Sequence, residues 1–178
     1  PKASFSIIDP AGLCSNDAVK LTNQSSVDFG SITKLQLFWG DTASVSYIDD
    51  QPFPGKVYAH NYPNPLSTTT AAYTIRMIAF SGITCQQQLT EPVSILPAPH
   101  IQFSPIAPLC DNAAPVNISQ AAVVAGMQGS FSYFGAGVSS GGLFDPKTAG
   151  AGTDSILYKY TASNNCIDSL YGPIVVIA

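Results

Sequence analysis

The side chains that could do chemistry are few and scattered. The chain carries two histidines and eleven acidic residues, of which Glu91 alone is a glutamate. His60 with Asp41 and a nearby serine would supply the base and the orienting acid of a hydrolytic triad. The string Gly137-Val138-Ser139-Ser140-Gly141 fits G-x-S-x-G, but that motif needs a strand before it, a helix after it and a later histidine. No histidine follows His100, and Gly142-Leu143-Phe144-Asp145-Pro146 cannot open a long helix. Asp49 and Asp50 are the candidates for paired carboxylates; as neighbours they project in different directions, as a solvated turn would have them. No D-x-D-x-D-G spacing marks a calcium loop, and the sequence calls for no cofactor or metal. Structural hydrogen bonding by His60 and a surface position for His100 are the simpler expectations.

The cysteines stand at Cys14, Cys85, Cys110 and Cys166. None forms the close pair that zinc or redox chemistry uses. An even number in a chain rich in glycine, proline, serine and threonine fits an oxidising compartment. Four cysteines allow three pairings, so the choice depends on a domain boundary. Leu96-Pro97-Ala98-Pro99-His100 reads as a stiff, extended linker. A cut near residue 98 gives domains 1–98 and 99–178, and the pairs Cys14 with Cys85 and Cys110 with Cys166. Each would close a long loop worth about 4 kcal/mol in the loop-entropy account.

Composition narrows the class. Of 178 residues 10% are charged and 46% hydrophobic, with 14 glycines and 14 prolines, which excludes both a disordered chain and a helical bundle. A net charge of -4 without basic runs excludes a nucleic-acid partner. No apolar run is long enough to insert into a membrane. Residues 3–8 and 173–178 read as strands and no signal segment opens the chain, so it reads as an excised piece of a longer protein whose cuts fall between modules.

The elements that must position these residues are strands. Apolar residues alternate at Phe5 and Ile7, Val19 and Leu21, Leu35, Leu37 and Trp39, Val45 and Tyr47, Tyr73, Ile75, Met77 and Ala79, and Val93 and Ile95. Turn signals such as Gly40-Asp41 and Pro52-Phe53-Pro54-Gly55 separate them. About seven short strands at this spacing make a two-sheet sandwich. The strand over 73–80 is apolar on both faces and should be central; the segment before it, with Pro63, Pro65 and 67–70, reads as an exposed loop. In the second half, strands are expected at 116–118, 130–134, 155–161 and 174–177, with a helical turn over 119–125 and glycines supplying turns. The expected fold class is all-β, two tandem immunoglobulin-like β-sandwiches.

The first half resembles a PKD (polycystic kidney disease) domain. The residues that carry the likeness are Leu37-Phe38-Trp39-Gly40-Asp41-Thr42, then His60-Asn61-Tyr62, then Tyr73-Thr74-Ile75-Arg76-Met77. They stand where the family has Trp-Asp-Phe-Gly-Asp-Gly, His-x-Tyr and Tyr-Thr-Val-x-Leu. Leu37, Phe38 and Thr42 depart from that pattern, at the turn where some members contact carbohydrate or calcium. The resemblance implies that Trp39, Gly40, Asp41, His60 and Tyr62 form a structural motif tying a loop to the sheet. The second half looks like an immunoglobulin-like module found beside PKD domains in very large secreted and surface proteins of bacteria. It does so through Ser132-Tyr133-Phe134-Gly135-Ala136-Gly137-Val138, Gly142-Leu143-Phe144-Asp145-Pro146, 149–153, 156–161 and Asn164-Asn165-Cys166.

These readings imply a non-enzymatic structural and adhesive spacer of an exported bacterial surface protein, extracellular or at the cell surface. Its partners would be adjacent domains of the same polypeptide and a cell-surface or extracellular polysaccharide or protein. The alternative is a carbohydrate-binding accessory module of a polysaccharide-degrading enzyme. Its sugar-stacking candidates are Phe53, Tyr58 and Tyr62, with Tyr133 and Phe134 in the second half. Asn23-Gln24-Ser25 and Asn117-Ile118-Ser119 fit an N-glycosylation acceptor, while Asp41-Thr42-Ala43, Asp154-Ser155-Ile156 and Asp168-Ser169-Leu170 are similar to a bacterial O-glycosylation acceptor.

Overall fold

In a computed structural model, residues 1–41 and 46–178 are described. Thr42 of the turn motif, the acceptor triplet 41–43 beyond its aspartate, and Val45 of the alternating set lie outside the described residues. The strands are β1 (Phe5–Ile7), β2 (Ala18–Asn23), β3 (Lys34–Phe38), β4 (Tyr47–Asp49), β5 (Val57–Asn61), β6 (Ala71–Ser81), β7 (Cys85–Ile95), β8 (His100–Phe103), β9 (Leu109–Cys110), β10 (Val116–Asn117), β11 (Ala121–Ala125), β12 (Gly129–Phe134), β13 (Leu143–Phe144), β14 (Gly152–Ala162) and β15 (Ile167–Ile177). One helical turn, α1 (Pro146–Ala149), is capped by Asp145. The fold is all-β.

The chain divides into two compact units, residues 1–64 with 69–96 and residues 65–68 with 97–178. In the first unit a three-stranded sheet, β1-β2-β5, faces a four-stranded one, β4-β3-β6-β7. Period two sends Val19, Leu21, Leu35, Leu37, Ile75 and Met77 to the space between the sheets, each at most 1% exposed. β6 lies between β3 and β7, and its other face is covered in part by cations: Arg76 lies 3.9 Å over the Phe38 ring, across the β3–β6 ladder.

In the second unit the main sheet runs β12-β14-β15-β9, with smaller pairs β11-β8 and β10-β13. Its core is built from Tyr133, Phe144, Ile156, Tyr158, Tyr160, Ile174 and Val176. The segment 119–125, expected as a helical turn, holds β11 instead, antiparallel to β8. Val123 and Val124 are stiff at χ1 and suit a pleated surface better than a single turn of helix.

The expected disulfides do not form. Cys14 and Cys166 are the disulfide-bonded cysteines, whereas Cys85 and Cys110 are free and exposed. Strand register gives the reason. Cys14 bridges to Leu96, just past the end of the 11-residue strand β7, while Cys85 begins that strand. Cys110 pairs with Ile177 at the end of the 11-residue strand β15, while Cys166 precedes its start. At about 3.3 Å per residue each expected pair is separated by roughly 35 Å, against an upper limit of about 7 Å between the Cα atoms of a disulfide.

Pro97, Ala98 and Pro99 are buried rather than exposed as a linker, and Gly126 (φ +131°) allows close approach there: a Cβ on it would lie 2.8 Å from Pro99 Cα. His100, expected at the surface, opens β8 half-buried, and its Nε2 is shielded without a hydrogen-bond partner among the described residues.

Candidate functional site

The chemistry-bearing side chains of the first unit gather at one end of the sandwich, where β3 runs into Gly40 and β5 passes beside it. Gly40 has φ +86°, and a Cβ there would stand 2.5 Å from the Thr74 carbonyl oxygen, so the turn requires glycine. The turn delivers Asp41, whose Oδ2 lies 2.9 Å from His60 Nε2. The His60 ring stacks on Trp39 with centroids 4.9 Å apart and meets Tyr62 edge-on at 4.8 Å. Tyr62 in turn stacks on Tyr73 at 4.3 Å and donates its hydroxyl to the Trp39 carbonyl at 2.7 Å. Burial, the Asp41 charge and Tyr73 together raise the Tyr62 phenol well above the ordinary tyrosine range. Thus Trp39, Gly40, Asp41, His60 and Tyr62 come together as one cluster.

A second polar knot lies further along β5. Buried Asp49 accepts the Tyr58 hydroxyl at 2.5 Å and the Gln51 N–H at 3.0 Å, and pairs with the Lys56 ammonium at 2.7 Å. Burial pushes the Asp49 carboxyl up, but the hydrogen bonds from Lys56, Tyr58 and Gln51, with the Lys56 charge, outweigh it and hold the group below the usual carboxylate range. Burial first, then Asp49, raises Tyr58. The expectation of a solvated Asp49-Asp50 turn therefore holds for exposed Asp50 and fails for Asp49.

The proposed stacking platform is not assembled. Tyr58 and Tyr62 are 6% and 3% exposed, with their hydroxyls occupied, and offer no ring face to a ligand. Alternation along β5 turns Tyr58 inward, and the residue after the strand follows it. Phe53 is 57% exposed and borders a cleft of about 320 Å³ with Asn23 and Ser25 at its base. In the second unit Tyr133 is buried under Gly142 and Phe134 is exposed. Sequence reasoning missed exposed Phe29, in the segment between β2 and β3, and exposed Tyr47, Phe131 and Tyr171 on β4, β12 and β15; period two does not tell which of a strand's two faces lacks a cover. Ser139 receives the Leu143 N–H at 3.0 Å as part of a glycine turn. Asn23 is buried and donates to the Phe53 carbonyl, whereas Asn117 is exposed.

Between β5 and Tyr47 a groove of about 460 Å³ opens, lined by residues 56–60 with Trp39 and Tyr47. No group of three metal-ligating side chains occurs among the described residues, and no described helix is long and apolar enough to cross a membrane.

No family model matches the chain, and no curated protein matches it. Among solved structures it is similar to a protocadherin gamma-B4 extracellular domain, at 12% identity and TM-score 0.36, covering 98% of this chain and 33% of that one. Protocadherin gamma-B2 extracellular cadherin domains 3–6 match at 9% identity and TM-score 0.32, over 99% of this chain and 51% of that one. A protocadherin gamma-B7 cis-dimer structure matches at 10% identity and TM-score 0.30, over 98% and 50%. The chain spans a third to a half of these proteins' length, and the sheets themselves, not these likenesses, establish the fold.

Proposed function

We propose that this chain is a non-enzymatic structural and adhesive segment of a large exported bacterial surface protein, a PKD-like sandwich followed by a glycine-rich immunoglobulin-like one. The observation that carries the reading is how the reactive groups are employed. His60 is held between the Trp39 face, the Tyr62 edge and Asp41, and the Tyr62 hydroxyl is given to the Trp39 carbonyl. These contacts lock a turn to a sheet. The disulfide adds support for an oxidising, extracellular setting. The work of such a segment is mechanical: antiparallel ladders hold its sheets against extension and proteolysis. Assays with ester, peptide and glycoside substrates should give turnover no greater than the His60→Gln variant; turnover lost in that variant overturns the reading.

A second reading, a carbohydrate-binding accessory module, is favoured by Phe53 alone, exposed over its cleft. Pull-down on insoluble polysaccharide decides it: retention abolished by Phe53→Ala supports this reading, and retention absent in the wild type removes it.

A further inference from the structure

We infer that the outer face of the second unit's main sheet is a stacking platform for an uncharged, β-linked pyranose polysaccharide, with Phe134 and Tyr171 as its two ring seats. This deepens the adhesive reading above by naming the class of its partner, and rests on that reading.

Strand register places the two rings. Phe134 stands opposite Leu157 in the β12–β14 ladder, and Leu157 stands opposite Tyr171 in the β14–β15 ladder. Directly opposed residues share a face of the sheet. Leu157 alternates with Ile156 and Tyr158, which are buried in the core, so it belongs to the other face. The row of Phe134, Leu157 and Tyr171 therefore crosses three strands on the side turned away from the core, and both ring-bearing side chains are at least half exposed. Two strand spacings set the outer Cα atoms about 10 Å apart, which is the reach of two sugar units in an extended β-1,4-linked chain.

The neighbouring rows say what kind of ligand suits this surface. Ser132, Lys159 and Ser169 lie on one side of the aromatic row, and Ser155 and Pro173 on the other. Lys159 is the one charged residue of these rows, and no carboxylate accompanies it. A polyanion would need several cations, and a single lysine does not supply them. A pyranose ring lays its C–H face on an aromatic face while its hydroxyls point outward to the edges, where the serines stand. An uncharged glycan thus matches both the rings and their hydroxyl-bearing borders.

Other rings and other occupants fit less well. Phe131, exposed on the same strand, is opposite core Tyr160 and stacks on Tyr158 with centroids 5.8 Å apart. No ring contact engages Phe134 or Tyr171 among the described residues. The apolar part of the face, with Pro173 and Val175 added to the aromatic row, covers roughly 10 Å by 14 Å. A stable interface with a second copy needs about 800 Å² on each side, whereas a sugar chain needs only the width of its rings.

Depletion of the whole chain from solution by insoluble cellulose and by chitin, with α-linked starch granules as the counter-ligand, tests this. The expected result is retention on a β-1,4-linked polymer that is the same at about 0.1 M and 1 M salt, because stacking is not screened. Phe134→Ala and Tyr171→Ala should each weaken binding about tenfold, while Tyr171→Phe, which keeps the ring, and Phe53→Ala should leave it unchanged. Circular dichroism checks that each variant folds, and the Tyr171→Phe comparison holds even if an alanine variant does not. No retention of the wild type on either polymer, equal retention on starch, indifference to both alanine variants, or loss in Phe53→Ala instead would overturn the platform. So would a dimer that Tyr171→Ala dissociates. Each of those outcomes leaves the mechanical role standing, since that role falls by turnover dependent on His60 and not by failure to bind sugar.

Discussion

The two units fill comparable sandwiches by different means. The first packs Leu21, Leu35, Leu37, Ile75 and Met77, branched or flexible aliphatic side chains from alternate strand positions, and keeps its aromatic cluster at one end. The second packs Tyr133, Tyr158 and Tyr160 beside Phe144 and makes room for rings with glycines: a Cβ on Gly142 would lie 2.8 Å from the Tyr133 ring, and one on Gly172 2.4 Å from Phe103. Aliphatic packing loses stability when volume is removed; ring-on-glycine packing loses it when volume is added. The largest expected effect is Leu37→Ala, fully buried between Tyr47 and Met77 in its ladders, at about 3 kcal/mol by chemical denaturation. A loss below about 1 kcal/mol would place the load of the first unit elsewhere.

The mirror-image substitution belongs to the second unit. Gly172→Ala puts a methyl group into the Phe103 ring, and about 1–3 kcal/mol should be lost, because the ring packs against its core and must shift as a body. Phe103→Leu in the same background should recover part of it. Failure of that rescue would mean that the cost comes from β15 itself and not from the ring.

This contrast explains which parts were legible beforehand. Alternation named β3, β6 and β14 because an aliphatic or tyrosine at every second position has one physical reading. The resemblance to a PKD motif, not alternation, grouped Trp39, Gly40, Asp41, His60 and Tyr62. Alternation could not tell that Tyr58 and Tyr62 face inward while Tyr47 and Phe53 face out, since either face of a strand satisfies period two. The cysteine pairs failed for a related reason. A boundary sorts cysteines by module, but only strand register tells that Cys14 and Cys85 stand at opposite ends of β7.

Acid and base separate two aspartates of the same direction. Asp49 is buried and its carboxyl is held low, so the stability it contributes is complete above the ordinary carboxylate value of about 3.9 and is lost as pH falls through its lower folded value. Asp145 is also held low, by the Thr148 hydroxyl and the Lys147 and Thr148 N–H groups, but it sits in water at the cap of α1. Asp49→Asn should therefore flatten the acid limb of the stability curve and Asp145→Asn should leave it nearly unchanged; the reverse order would reject the buried knot. At the alkaline end, Tyr58 and Tyr62 ionise above the ordinary phenol. Their contribution is intact below about pH 10 and declines above it, which tyrosinate absorbance during alkaline unfolding follows.

The smallest effect distinguishes the four cysteines. Cys85 stands opposite Ser81 at the tip of the β6–β7 hairpin and Cys110 beside Ile177, both exposed and both free. Neither side chain fills core volume, so Cys85→Ser and Cys110→Ser should each change stability by less than about 0.5 kcal/mol, the usual range for surface substitutions. Iodoacetamide should modify both in the native, unreduced chain. Cys14 is 7% exposed and Cys166 fully buried, and both are disulfide-bonded, so they should take up the reagent only after unfolding and reduction. Resistance of Cys85 in the native chain would mean that this hairpin tip is covered, and with it that the long edge strand β7 has a neighbour where its proline and glutamate point to none.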